Sequence, residues 1–143
     1  MKSFVVDANV GAKWCLPAKD EPLVAQAREL LDAYVHHRVA LIVPDLFWAE
    51  MGNILWKASR VGRISNRDAL AALDYVHALN IPTYSSTDFL PETLHLAQLL
   101  GRSFYDSLYV TLAVHSSIDL ITADERLAHA LAAHLPVKWL GAV

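Results

Sequence analysis

Two short apolar runs, Ser3–Val6 (SFVV) and Ala40–Val43 (ALIV), stop abruptly, the first at Asp7 and the second at Pro44-Asp45. Runs this brief and this continuously apolar read as strands buried on both faces, the kind that parallel sheets use. Residues 81–85 and 118–122 read the same way, and Val137–Leu140 makes a last short strand. Between them, residues 21–37, 45–61, 65–79, 91–101, 105–116 and 124–134 carry helical periodicity. Strands separated by helices imply the α/β class, a parallel sheet covered on both faces. With 143 residues and no linker, repeat or low-complexity stretch, one domain over residues 1–143 is expected. Helix starts are expected where Asp45 follows Pro44, where Ser65 precedes Asp68, and where Thr122 precedes Glu125 in the capping-box spacing.

Four acids stand beside these apolar runs: Asp7 in FVVDANV, Glu50 in LFWAEMGN, Asp106 in FYDSLYV and Asp124 in LITADERL. An ionised carboxylate taken out of water needs a positive or hydrogen-bonding partner. Two of them at about 4 Å repel by about 4 kcal/mol at an effective dielectric near 20. No adjacent segment supplies enough Lys or Arg to cancel that repulsion, so a divalent cation is the natural counter-charge. Singly, Asp7, Asp106 and Asp124 are explained as residues at helix N-termini, where capping and the helix dipole are worth about 0.5–2 kcal/mol. Glu50 is not, because it lies over a turn into the 45–61 helix with Asn53, Ile54 and Lys57 on its face. The carboxyl ends of parallel strands share one edge, where ligands bind. That edge receives Asp7 and Asp124, and Glu50 can lean over it from the helix after the second strand. Asp106 is the least well placed, since its position depends on a long connection.

An all-oxygen set, with Asn9 and Thr122 as neutral donors nearby, suits Mg²⁺ or Mn²⁺ rather than zinc. Phosphodiester hydrolysis is the reaction class such a site favours. The chain has no G-x-S-x-G elbow, P-loop, G-x-G-x-x-G or H-E-x-x-H. Its histidines, His36, His37, His77, His95, His115, His129 and His134, lack ligand spacing. Cys15, alone, reads as a small buried hydrophobe, and Trp14, Trp48, Trp56 and Trp139 read first as core or interface residues.

The net charge of −3 argues at first against a nucleic-acid partner. Setting the four acids aside, 11 Asp and Glu remain against 12 Lys and Arg, and the rest of the surface is near neutral. Lys57, Arg60, Arg63 and Arg67 gather around Gly62, either as a local positive patch or as an ordinary solvated helix end. A hydrophobic content of 55% with only 19% charged residues, against about 25% in an average domain, leaves apolar surface for a partner. No stretch approaches the roughly 20 apolar residues of a membrane span, and the first residues lack a signal-peptide core, so a cytoplasmic protein is expected.

Read together, D-A-N-V at 7–10, Ala49-Glu50, Asn53, Y-D-S-L-Y-V-T-L-A at 105–113 and L-I-T-A-D-E-R-L at 120–127 resemble the PIN-domain ribonucleases, most closely the VapC-type toxins of toxin–antitoxin pairs. The match spans nearly the whole chain. It implies a PIN-like three-layer α/β/α fold with four to five short parallel strands, and Asp7, Glu50, Asp106 and Asp124 as the catalytic, metal-binding acids. Thr122 matches the family's hydroxyl residue, and Asn9 and Asn53 match frequent polar neighbours. The Val10–Trp14 segment looks like the family's first helix. The resemblance further implies a Mg²⁺- or Mn²⁺-dependent endoribonuclease that cuts structured RNA such as tRNA or rRNA, works as a homodimer and is silenced by a cognate VapB-like antitoxin. RNA contacts are then expected at Lys13, Lys57, Arg60 and Arg63, and an antitoxin groove along Trp14, Leu16, Phe47, Trp48 and Trp56. A housekeeping PIN nuclease without an antitoxin is the alternative within the fold. A phosphoacceptor signalling domain is disfavoured, because paired acids after the first strand are missing and Lys138 sits inside the last strand. A binding module with no catalysis, using the apolar helices alone, is the remaining alternative.

Overall fold

The computed structural model describes residues 1–143. Its sheet has five strands: β1 (Lys2–Val6), β2 (Val39–Pro44), β3 (Thr83–Tyr84), β4 (Asp119–Thr122) and β5 (Val137–Trp139). They lie in the order β3-β2-β1-β4-β5, and every neighbouring pair is parallel. Seven α-helices connect them: α1 (Ala8–Ala12), α2 (Val24–Val35), α3 (Leu46–Arg60), α4 (Asn66–Ala78), α5 (Leu90–Leu100), α6 (Phe104–Ser116) and α7 (Glu125–Leu131). The α/β class and the short parallel strands are as the apolar runs predicted. No helix is long and apolar enough to cross a membrane.

The chain moves outward from β1 through β2 to β3, then returns to lay β4 on the other side of β1. Crossovers between parallel strands are right-handed, so this reversal puts α1–α4 on one face and α5–α7 on the other, giving three layers. It also makes the boundary between β1 and β4 the topological switch point, where the crevice of such a sheet opens. Val5 pairs with Leu120 and Val6 with Ile121. The Asp7 amide, donating to the Ile121 carbonyl at 3.0 Å, carries the ladder one residue further. Asp7 and Thr122 therefore leave the sheet side by side.

Val5, Val6, Leu41, Val43, Leu120 and Ile121 are essentially solvent-free, and Phe47, Met51 and Leu112 close over them from the helices. Every residue from Ser107 to Ala113 is buried, so α6 is enclosed all round where it crosses β1, β2 and β4. Gly11 lets α1 settle on α3, since a Cβ there would stand 2.9 Å from Met51 Sδ and 3.1 Å from Phe47 Cζ.

Some boundaries differ from the sequence expectation for identifiable reasons. The strand expected at 81–85 shrinks to Thr83–Tyr84, because Pro82 has no amide to donate and contributes only its carbonyl, to Val43 N at 3.0 Å. Helix α1 is too short to show periodicity and was visible only through the resemblance. Ser65 caps α4 as expected, accepting from Asp68 N at 3.0 Å. Helix α3 starts after Asp45 as expected, but the Asp45 side chain does not cap it: its carboxylate accepts from the Ser86 amide at 3.0 Å and hydroxyl at 3.2 Å, tying β2 to the turn after β3. Nor does Thr122 cap α7, because Asp124 holds that position and accepts from Leu127 N at 3.1 Å.

Candidate active site

The site is built from the β1/β4 boundary outward. Asp7 takes an extended backbone (φ −75°, ψ 147°) at the N-cap of α1, so its carboxylate turns back over the end of β1. Oδ2 accepts the Thr122 hydroxyl at 2.9 Å and Oδ1 a longer bond from the Asn9 amide at 3.4 Å. The same Thr122 Oγ1 accepts from Asn9 Nδ2 at 3.2 Å and from the Asp124 amide at 3.1 Å. One donation and two acceptances use the full capacity of a hydroxyl. Asn9 Oδ1 in turn accepts the Ala123 amide at 2.9 Å. The first and last of the four acids are thus set by one network spanning adjacent strand ends.

The other two come from the helices. Glu50 projects from α3, and its Oε1 accepts the Tyr109 hydroxyl at 2.6 Å. Asp106 lies in the first turn of α6, which Ser103 caps by accepting the Asp106 amide at 3.0 Å. Tyr109, three residues on, shares that helix face with Asp106.

Charge shows how these groups sense one another. Asp7 is pushed up to about 7, first by burial, with repulsion from Glu50 and Asp106 adding to it and the Thr122 bond opposing. Glu50 is raised by burial, while the Tyr109 hydroxyl lowers it and Asp106 raises it further. Asp106 is raised by burial and by Asp124, with Arg102 pulling the other way. Burial, followed by the nearby Asp7 and Glu50 charges, raises the Tyr109 phenol far above its ordinary range, so it stays a donor. Repulsion thus links Asp7, Glu50, Asp106 and Asp124 in an unbroken chain, and Arg102 is the one cation that offsets it at Asp106.

A PIN domain family model matches residues 4–132 of the chain. This chain belongs to the PIN-domain family. It is 33% identical over 100 residues to "Exonuclease VapC9" of Pyrobaculum aerophilum, covering 67% of this chain and 71% of that protein. It is 32% identical over 133 residues to "Ribonuclease VapC3" of the same organism, covering 87% and 92%. Among solved structures it superposes on the crystal structure of PAE2754 from Pyrobaculum aerophilum with a TM-score of 0.72 and 26% identity, over 99% of this chain and 85% of that one.

This PIN domain differs in several places from what its sequence led us to expect. No three His, Cys, Asp or Glu side chains stand close enough to ligate one ion directly, so the four acids do not form a ready-made cage. Side chains with uncompensated repulsion between them stay apart. Their all-oxygen chemistry fits a hydrated hard cation of the Mg²⁺ type, which is commonly held through one or two carboxylates and keeps several waters. The Thr122 hydroxyl is fully engaged in positioning Asp7 and Asp124, whereas Asn9 Oδ1 accepts the Ala123 amide and keeps a second lone pair. Asn53 is exposed and borders, with Glu50, Leu46, Ala49, Ile54 and Tyr105, a cleft running along α3.

Lys13 is buried rather than presented to a substrate, and its Nζ donates to Glu21 Oε2 at 3.0 Å. Arg63 binds the other Glu21 oxygen at 3.1 Å. Burial works to raise the Glu21 carboxyl, but bonds from Lys13 and Arg63 hold it below its ordinary value. Of the expected RNA-facing bases, Lys57 and Arg60 remain exposed, with the Arg60 guanidinium 5.4 Å from the centre of the Trp56 ring. The expected groove is also revised. Phe47 and Leu16 are core residues, and the indole N–H groups of Trp14 and Trp48 are bound to the Ala27 carbonyl and Thr83 Oγ1. Helical period explains this: Phe47, Met51, Leu55 and Ala58 share the inward face of α3, leaving Trp56, 53% exposed, on the outer one.

Sequence reasoning missed Tyr109 and Arg102. Tyr109 sits inside the Y-D-S-L-Y segment at i+3 from Asp106, and that spacing was the available signal. Its apolar neighbours Leu108 and Val110 give no hint of a polar role.

Proposed function

We propose that this chain is a divalent-cation-dependent endoribonuclease of the VapC toxin type, hydrolysing phosphodiester bonds in structured RNA such as tRNA or rRNA. What supports the reading is the repulsion that runs from Asp7 through Glu50 and Asp106 to Asp124 beside the β1/β4 switch point, with Arg102 the one cation acting on Asp106. These four would hold a hydrated Mg²⁺ or Mn²⁺, which when bound supplies neutralising charge at phosphoryl oxygens and a more acidic water. The chain's own part is positional. Thr122 and Asn9 fix Asp7 against Asp124, Tyr109 engages Glu50, and the exposed Lys57 and Arg60 offer charge to the RNA backbone away from the acids. The reading extends to a homodimer and, with relatives named VapC, to control by a VapB-like antitoxin, for which the exposed Trp56 face of α3 is the apolar surface that remains.

The deciding experiment incubates purified protein with total cellular RNA, with and without Mg²⁺ or Mn²⁺, and maps the new ends. Internal cuts that need the cation support the proposal. Cutting that is indifferent to EDTA, or no cutting of any RNA, refutes it, and trimming only from termini would move the activity to the exonuclease class named in one relative. A short reading frame for a DNA-binding protein beside the gene separates the toxin from a housekeeping nuclease.

A further inference from the structure

Among the acids at the sheet edge, Glu50 is set from the opposite layer: its one side-chain hydrogen bond comes from Tyr109 on α6, at 2.6 Å. Tyr109 is 2% exposed and its ring belongs to the main core, so the hydroxyl is held in place by packing from all sides. Glu50 is different. It is partly exposed, on a flexible three-torsion side chain that would otherwise sample several staggered rotamers. A bond to an ionised acceptor is short and strong, and it removes that freedom. It also occupies Oε1 and leaves Oε2 without a protein partner. Since Asp106 lies on the same face of α6 as Tyr109, this helix carries one acid of the site together with the group that sets the α3 acid beside it.

We propose that Tyr109 is a positioning residue for Glu50: its hydroxyl selects which carboxylate oxygen faces the cation and holds the α3 acid in register with Asp7 and Asp106. This rests on the cation-dependent nuclease reading. A purely structural role is the competing explanation, because a buried phenol needs some acceptor and Glu50 would satisfy it.

Tyr109→Phe keeps the ring and removes only the hydroxyl. Three quantities are compared with the wild type: Mn²⁺ affinity by calorimetry, the kcat and KM of RNA cleavage, and thermal unfolding of the cation-free protein. Positioning predicts Mn²⁺ binding weakened by about 10- to 100-fold and kcat reduced by a similar factor, with KM for RNA little changed. Wild-type Mn²⁺ affinity and kcat in the folded variant overturn the role. Should the variant fail to fold, proton NMR of the wild type asks the same question: a Tyr109 hydroxyl signal that shifts in step with Mg²⁺ binding supports the role, and a signal unmoved at saturating Mg²⁺ overturns it. A wild-type protein that neither binds Mn²⁺ nor cuts RNA sinks the nuclease reading and this role together. An active wild type with an unaltered variant sinks this role alone.

Discussion

Thr122 Oγ1 lies 2.9 Å from Asp7 Oδ2, joining residues 115 positions apart in the chain. The threonine is fully buried, and its hydroxyl makes two further bonds, to Asn9 Nδ2 and the Asp124 amide. Thr122→Val keeps the volume and strands all three partners. Leaving partly buried polar groups unmatched costs about 1–3 kcal/mol, which urea denaturation should read directly. Loosening the support of two acids at once should also lower RNA cleavage by about 10- to 100-fold, while Thr122→Ser stays close to wild type. A valine variant with full activity would show that the network does not set the acids.

Asp7→Asn separates charge from shape. The single amide oxygen can keep the 2.9 Å bond from Thr122 and gives up only the longer 3.4 Å bond from the Asn9 amide, so the fold should persist, as far-UV circular dichroism would confirm. The lost charge should abolish cation-dependent cleavage and the toxicity that follows from it. Because ionised Asp7 is disfavoured by burial and by Glu50 and Asp106, the variant without cation should be at least as stable as the wild type at pH 8. Full activity in this variant would refute the role given to Asp7.

The pH dependence follows from the same carboxylate. Asp7 has an ordinary value of 3.8 and is raised to about 7, so between these pH values the folded chain binds more protons here than the unfolded one. Its contribution to stability is therefore fully present below about pH 4 and is lost as pH rises through 7. Glu50 and Asp106, both raised, act in the same direction. Denaturation of EDTA-treated protein at pH 5 and pH 8 should show the wild type losing more stability over this range than Asp7→Asn. Added Mg²⁺ should reverse the loss at pH 8 and do little at pH 5, where protons compete for the same oxygens. Parallel pH profiles for the two proteins would contradict this.

The parts of the fold read correctly from the sequence are those fixed by local pattern. Ser3–Val6 and Ala40–Val43 had to be strands because they are short, apolar and cut off by Asp7 and by Pro44. That edge geometry also places Asp7 and Asp124 at neighbouring strand ends, tied by the Thr122 hydroxyl, while Glu50 and Asp106 are carried by α3 and α6. What stayed hidden depends on partners distant in sequence. Nothing near Lys13 says that Glu21 will fold back to bury it, nothing near Asp45 announces Ser86, and nothing near Glu50 points to a hydroxyl 59 residues on. The groove residues failed for a different reason: a tryptophan or phenylalanine on an early helix is equally suited to core and surface, and only the register of α3 decides between Phe47 and Trp56.

The Lys13–Glu21–Arg63 cluster is best judged by which member has no substitute. Lys13 has Glu21 alone, with side-chain exposures of 7% and 15%, whereas Glu21 has both Lys13 and Arg63, and Arg63 is 32% exposed and also reaches Asp20 at 3.8 Å. Removing one partner of a well-buried pair costs about 3–5 kcal/mol, mostly for the charge left behind. Glu21→Gln leaves the Lys13 ammonium buried without an anion, and allowing for the partial exposure of Glu21 it should cost about 2 kcal/mol or more. Lys13→Met should cost less, because Glu21 keeps Arg63 and the methionine stem fills the same space. Arg63→Ala, at a solvent-screened position, should cost about 0–1 kcal/mol. Urea denaturation of the three variants at pH 7 checks the order. Should Arg63→Ala prove the most damaging, the cluster would be anchored from the α3–α4 turn and not from Lys13 at the end of α1.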